Sequence, residues 1–157
     1  MSAPEREVAC IAIGGNLGNA AQTVQWAMRA LAELPNTLVM ASSSLYRSAP
    51  VDAAGPDFIN AVVLIKTELA PLVLLHALQA LEAQAGRERP YVNAPRTLDL
   101  DLIFHGDTTM HTAELTLPHP RWQTRAFVVL PLAEICPQRV SSALRASVQH
   151  QTIQKIS

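Results

Sequence analysis

Asp99 and Asp101 stand two residues apart in Pro95-Arg96-Thr97-Leu98-Asp99-Leu100-Asp101-Leu102-Ile103-Phe104, a run otherwise apolar enough to be a buried strand. A strand turns successive side chains to opposite faces, so the two acids share one face while Leu98, Leu100 and Leu102 share the other. The rise sets their backbones roughly 6.5 Å apart, within reach of convergence on a hard cation. Two uncompensated carboxylates in a half-buried sheet are costly in desolvation and repulsion, so a positive partner is required. Two partners are open: a divalent ion, or Arg96 in a structural ion pair. Magnesium takes one or two protein carboxylates and completes its octahedron with water and phosphate oxygens, so a bare acid pair suits phosphoryl transfer.

The cations are unevenly chosen. Lys66 and Lys155 are the only lysines, whereas arginine recurs at 87, 89, 96, 121 and 125. A planar fork of donors matches phosphate or carboxylate, which points to a localised anion site, with a set of solvated surface arginines as the plainer alternative. Arg87 and Arg89 precede the acid strand in a polar loop that could close over a triphosphate. Gly14-Gly15-Asn16-Leu17-Gly18 lacks the Lys-Ser/Thr ending of a P-loop and the spacing of a dinucleotide fingerprint, so it reads as a tight turn needing positive φ. His119 between prolines, and Phe58 and Phe127, carry no chemistry by pattern alone and read first as surface or core residues.

These residues need a frame. The run Val8 to Ile13 is a first strand, and Val24, Met28 and Leu31 recur at helical spacing until Pro35 and Asn36 stop them. Thr37 to Tyr46 reads as one strand, and Arg47 to Asp57 as loop. Phe58 to Thr67 alternates most clearly, with Ile59, Ala61, Val63 and Ile65 on one face and Phe58, Asn60, Val62 and Leu64 on the other. Asn60 is the odd polar member and needs a hydrogen-bond partner, from protein or ligand. Pro71, the stripe Leu74, Leu78 and Leu81, and Gly86 delimit a second helix. Leu115 to Leu117 is a short extended piece, Trp122 to Glu134 is helical with a break or kink at Pro131, and the tail from about 138 is polar with a weak amphipathic signal at Leu144 and Val148. The order predicts an α+β fold, a ferredoxin-like, largely antiparallel sheet with helices packed on both faces.

With 157 residues, a single domain spanning 1–157 is expected. Thirteen acids against twelve Lys and Arg give a net charge of −1, unlike the basic face of a nucleic-acid binder. Cys10 and Cys136 are too few for a disulfide scaffold or zinc site, no secretory leader is expected before Val8, and no apolar run approaches the ~20 residues of a membrane span. A soluble cytoplasmic protein, bound to neither nucleic acid nor membrane, is the expectation.

Five separated segments then occur in order: Ala-Ile-Gly-Gly-Asn-Leu-Gly at 12–18, Ser-Leu-Tyr-Arg-Ser-Ala-Pro at 44–50, Asp-Phe-Ile-Asn-Ala at 57–61, Ala-Pro-Arg-Thr-Leu-Asp-Leu-Asp-Leu at 94–102, and Pro-His-Pro-Arg at 118–121. Together they closely resemble the 6-hydroxymethyl-7,8-dihydropterin pyrophosphokinase family of folate biosynthesis, from Val8 to Pro137. The resemblance implies Mg-dependent transfer of the β,γ-diphosphate of ATP, the co-substrate, to the pterin hydroxymethyl group, releasing AMP. It implies two magnesium ions on Asp99 and Asp101. Phe58 and Phe127 would sandwich the pterin, with Asn60 at its edge and Ser48, Ala49 and Val51 completing recognition through their backbones. Arg87, Arg96, His119 and Arg125 would face the nucleotide phosphates, with Arg89 on a mobile loop and Gln79 and Glu82 reaching the nucleotide side. Arg87 and Arg96, with the acid pair, would be catalytic. Small molecules are the only partners implied, and a monomer is expected. The chain departs from the family pattern at Val92 and Asn93, in the loop before the acids, and at Gly15, where a serine is common. Without the resemblance, another metal-dependent nucleotidyl or phosphoryl transferase and a non-catalytic binding module of the same fold stay open.

Overall fold

Alternation in the two longest strands decides the architecture. In the computed structural model, which describes residues 5–50, 55–86 and 98–156, β1 (Glu7–Gly15) lies antiparallel to β4 (Phe58–Thr67), from Glu7 opposite Thr67 to Gly15 opposite Ile59. On its other side β1 pairs with β5 (Asp99–His105). Along the far side of β4, β2 (Thr37–Ser42) covers the C-terminal half and β3 (Tyr46–Ser48) the N-terminal end. The sheet runs β5-β1-β4-β3-β8, where β8 is Ile153–Lys155, and every pairing is antiparallel. Two short strands, β6 (Met110–His111) and β7 (Thr116–Leu117), pair with each other.

Odd-numbered residues of β1 and β4 bury against α1 (Ala20–Ala32) and α2 (Pro71–Ala85). There Ile11, Ile13, Ala61, Val63 and Ile65 meet Val24, Leu31, Leu74 and Leu78. The cap of α1 is Asn19, whose side chain accepts from the Gln22 N–H, and α2 starts with Pro71 at its first turn and stops at Gly86. Even-numbered residues face the other way, where Cys10, Ala12, Val62 and Leu64 bury against α3 (Ala126–Ile135) and Val148, just past α4 (Ser142–Ser147). The ferredoxin-like α+β reading, helices on both faces, is what the chain adopts.

A bulge in β5 changes the phase of the acid strand. Leu102 pairs with Ile11 but Phe104 with Cys10, so Ile103 has no partner on β1. Phe104 therefore joins the α3 face, and His105 turns to the helical face, its Nε2 2.8 Å from the Leu69 carbonyl. The carbonyl of Ile103 instead accepts from the His119 N–H at 2.8 Å, docking Pro118–Arg121 beside β5.

Three sequence expectations need correction. The strand expected over Thr37 to Tyr46 ends at Ser42, where the Ser43 hydroxyl accepts from the Val62 N–H, and β3 instead takes Tyr46 together with Arg47 and Ser48, which were expected in the loop. The break near Pro131 lies instead at Arg125, whose extended backbone separates a turn of 3-10 helix at Trp122–Thr124 from α3. The helix runs on through Pro131, since α3 is apolar nearly all round and its burial outweighs the lost hydrogen bond. Finally, Gly14 and Gly15 are not a positive-φ turn but the last residues of β1; only Gly18 of that segment has positive φ, at 57°.

The segment beyond 138 is more than a polar tail. Val148 is 1% exposed in the second core, and β8 pairs Tyr46 with Lys155, Arg47 with Gln154 and Ser48 with Ile153. Both cysteines are buried and unpaired. Among the described residues, no helix is long and apolar enough to cross a membrane.

Candidate active site

Four strands bring their even-face residues into one row across the sheet. Asp99 stands opposite Gly14, Gly14 opposite Asn60, and Asn60 opposite Tyr46; one step to one side Asp101 stands opposite Ala12, and one step to the other Phe58 stands opposite Ser48. Directly opposed residues share a face. The far end of this face is roofed by α3, whereas its near end opens into a cavity of about 550 Å³. Gly14, Ser48, Ala49, Phe58, Asn60, Asp99, Asp101, Arg125 and Phe127 all line it.

Gly14 is required here by closeness. A Cβ at that position would stand 3.2 Å from Asn60 Nδ2 and 4.0 Å from the Phe58 ring, so the missing side chain leaves room for the amide between the acids and the aromatic. Asn60, 3% exposed, accepts at Oδ1 from the Ser48 hydroxyl at 2.6 Å. That bond orients the amide, and the polar residue on an apolar strand has a protein partner as well as a place on the cavity wall.

The acids face a cationic rim. Arg125 Nη1 lies 3.9 Å from Asp101 Oδ2, and its guanidinium carbon 5.5 Å from the centroid of Phe127. His119 sits within the field of Asp101, Arg125 and Arg121: burial holds its pKa below the ordinary 6.5, Asp101 opposes that shift, and the two arginines reinforce it. Its Nδ1 accepts from the Arg121 N–H at 3.1 Å, so in the neutral ring the proton is on Nε2, a donor suited to an anionic oxygen. Among the described residues no three His, Cys, Asp and Glu side chains cluster to hold a metal with protein ligands alone. Two carboxylates on a cavity wall, Asp101 with a side chain 45% exposed, fit a magnesium ion that would take its remaining ligands from phosphate and water.

The remaining expected residues are placed differently. Glu82 Oε2 accepts from the Leu100 N–H at 2.8 Å, so it fastens α2 to the exposed edge of the acid strand; Gln79 is exposed and does not line the cavity. Val51, Arg87, Arg89 and Arg96, like Val92 and Asn93, lie outside the described residues. Sequence reasoning missed Thr124, His150 and Gln151, which also line the cavity, and placed Arg121 only in its motif and among the arginines of a possible anion site. Arg121 ends the Pro-His-Pro-Arg segment and caps the 3-10 turn that Thr124 closes, but nothing local marks His150 or Gln151, which arrive only because β8 pairs with β3.

The α+β sheet thus carries two acids, two phenylalanines and an oriented amide around one cavity. The family model for 7,8-dihydro-6-hydroxymethylpterin-pyrophosphokinase (HPPK) matches residues 10–137. Relatives named 2-amino-4-hydroxy-6-hydroxymethyldihydropteridine pyrophosphokinase include that of Synechocystis sp., 45% identical over 84% of this chain and 68% of its own length. That of Pseudomonas aeruginosa is 44% identical over 81% and 79%. A crystal structure of a Plasmodium falciparum HPPK-DHPS variant with SDX-DHP superposes with a TM-score of 0.73 over 95% of this chain and 46% of that one, at 15% identity, which speaks to the fold alone. The chain spans less than half the length of such solved structures. The protein is thus an enzyme of the pyrophosphokinase class, a transferase. It belongs to the 7,8-dihydro-6-hydroxymethylpterin-pyrophosphokinase family.

Proposed function

We propose that the protein transfers the β,γ-diphosphate of ATP to the hydroxymethyl group of 6-hydroxymethyl-7,8-dihydropterin, for folate biosynthesis, with release of AMP. The substrate oxygen attacks the β-phosphorus, the bond from that phosphorus to the oxygen bridging the α-phosphate breaks, and the hydroxyl proton is lost to solvent. The observation that carries this reading is the row Asp99, Gly14 and Asn60, with Asp101 one step to one side of it and Phe58 one step to the other, so that the acid pair and two of the expected pterin contacts line one cavity.

In this reading the pterin ring lies between Phe58 and Phe127, and the Asn60 amide, fixed by Ser48, meets its edge. Asp99 and Asp101 would hold two magnesium ions, which when bound neutralise phosphate charge and favour loss of the hydroxyl proton. Arg125, beside Asp101, would face the phosphates; His119, which feels the charges of Asp101 and Arg125 but does not itself line the cavity, would reach them with its Nε2–H, and Arg87, Arg89 and Arg96 would add to them. Alignment and charge stabilisation supply most of the rate in this reading. Incubating the full chain with ATP, magnesium and 6-hydroxymethyl-7,8-dihydropterin should yield AMP and a diphosphorylated pterin in equal amounts. Folded protein that releases no AMP, or that releases ADP, would sink the proposal.

A further inference from the structure

Arginine at a helix N-cap has donors only, yet the first N–H groups of a helix need acceptors. Arg125 holds that position in α3 and makes no side-chain cap. The acceptor comes from 25 residues downstream: Gln151 Oε1 takes the Ala126 N–H at 3.0 Å, while Nε2 of the same amide donates to the Thr124 carbonyl at 2.7 Å. One side chain therefore holds the residues on both sides of Arg125. It also lines both the main cavity and a smaller one of about 200 Å³ that shares Ser48, Ala49 and Phe127 with it.

Gln151 is itself held on both sides. Upstream, Val148 is buried in the second core; downstream, Thr152 accepts from the Ala49 N–H at 3.3 Å and the β3–β8 ladder begins. These residues lie beyond the segment that matches the family, which stops at 137. We infer that Gln151 is a positioning residue: it supplies the cap that Arg125 cannot, and so aims the Arg125 guanidinium at Asp101 and the phosphates. The inference rests on the proposed role of Arg125 at the nucleotide side.

Gln151→Met keeps the side chain's length and removes both hydrogen bonds, while Gln151→Glu keeps an acceptor for Ala126 but sets an anion against the Thr124 carbonyl. Each is compared with the full wild-type chain in AMP release and, by calorimetry, in affinity for ATP with magnesium, alone and combined with Arg125→Ala. Gln149→Ala, on the exposed turn before Gln151, is the control for a general disturbance of this segment. We expect kcat/KM to fall about tenfold in Gln151→Met and less in Gln151→Glu, and the Gln151→Met effect to shrink below about twofold once Arg125 is alanine. An equal loss with and without Arg125, or wild-type values in both Gln151 variants, would overturn the inference. If Gln151→Met fails to fold, Gln151→Glu carries the same comparison. Wild-type protein that binds ATP but makes no AMP would defeat the proposed function alone, because the affinity arm still reads the coupling between Gln151 and Arg125.

Discussion

The two faces of the sheet are built from the same strands and do opposite things. On the α1–α2 face, every inward residue of β1 and β4 from Ala9 to Ile13 and from Ile59 to Ile65 is apolar and covered. On the other face the apolar residues stop halfway: Cys10, Ala12, Val62 and Leu64 are roofed by α3, and beyond them come Gly14, Asn60, Asp99 and Asp101. Because strand periodicity is two, the residues of one face constrain those of the other only through the backbone. One face is therefore core along its whole length, whereas the other is core under α3 and proposed active site beyond it, with one residue step separating Leu100 from Asp101.

That division can be tested by its exceptions. Asp101→Ala should lower kcat/KM on the order of 10³-fold at saturating magnesium while leaving the thermal midpoint close to that of wild type. Near-normal turnover in that variant would remove the two-ion reading. Leu78→Ala, on the fully buried stripe of α2, should cost about 3 kcal/mol in denaturant unfolding but leave the folded fraction active at the wild-type rate. A matching loss of specific activity would show that the two faces are coupled. Gly14→Ala tests the boundary, since its Cβ presses on the Asn60 amide: the KM for the pterin should rise about tenfold with kcat little changed.

The smallest expected effect concerns how α3 is fastened. Glu134 accepts from the Ser44 N–H at 3.1 Å, the Ser44 hydroxyl at 2.9 Å and the Tyr46 hydroxyl at 2.7 Å. Burial alone would raise its pKa, but these donors and the charge of Lys155 outweigh burial and hold it below the ordinary 4.5. The same contact, with burial as the larger cause, pushes the Tyr46 phenol up. A carboxylate whose pKa is depressed by folding stabilises the fold above its unfolded pKa and loses that contribution as the pH falls through the folded one. Glu134→Gln should thus be less stable than wild type at pH 7 by about 1 kcal/mol, allowing for the screening of an exposed group, and the gap should close below pH 4.5. A gap that persists unchanged at low pH would mean that charge has no part in the fastening.

What could be read from the sequence follows the same division. The apolar strands, α1 and α2 were legible because their periodicity is set by burial on one continuous face. Asp99, Asp101 and Asn60 stood out because each sets a polar side chain in an apolar strand, whereas Phe58 and Phe127 read by pattern as core residues and gained a role only through the family resemblance. Pro131 misled because local propensity predicts a helix break that packing overrides, and Gly14 misled because its reason is a neighbour across the sheet and not its own dihedral angles. Glu134 and Gln151 left no local signal: one meets residues about 90 positions away and the other 25, and such contacts exist only once the sheet is assembled.

The β3–β8 ladder also sets an order of events during synthesis. Of the residues lining the cavity, Ala12 leaves the ribosome first and Gln151 last. A nascent chain from which residues up to Pro137 have emerged holds the strands β5, β1 and β4 that carry both acids, but nothing caps α3 and the outer edge of β3 has no partner. Such a chain exposes an apolar pocket and an acid pair without their last wall, which makes the interval before β8 docks the one in which a holding chaperone would be most useful.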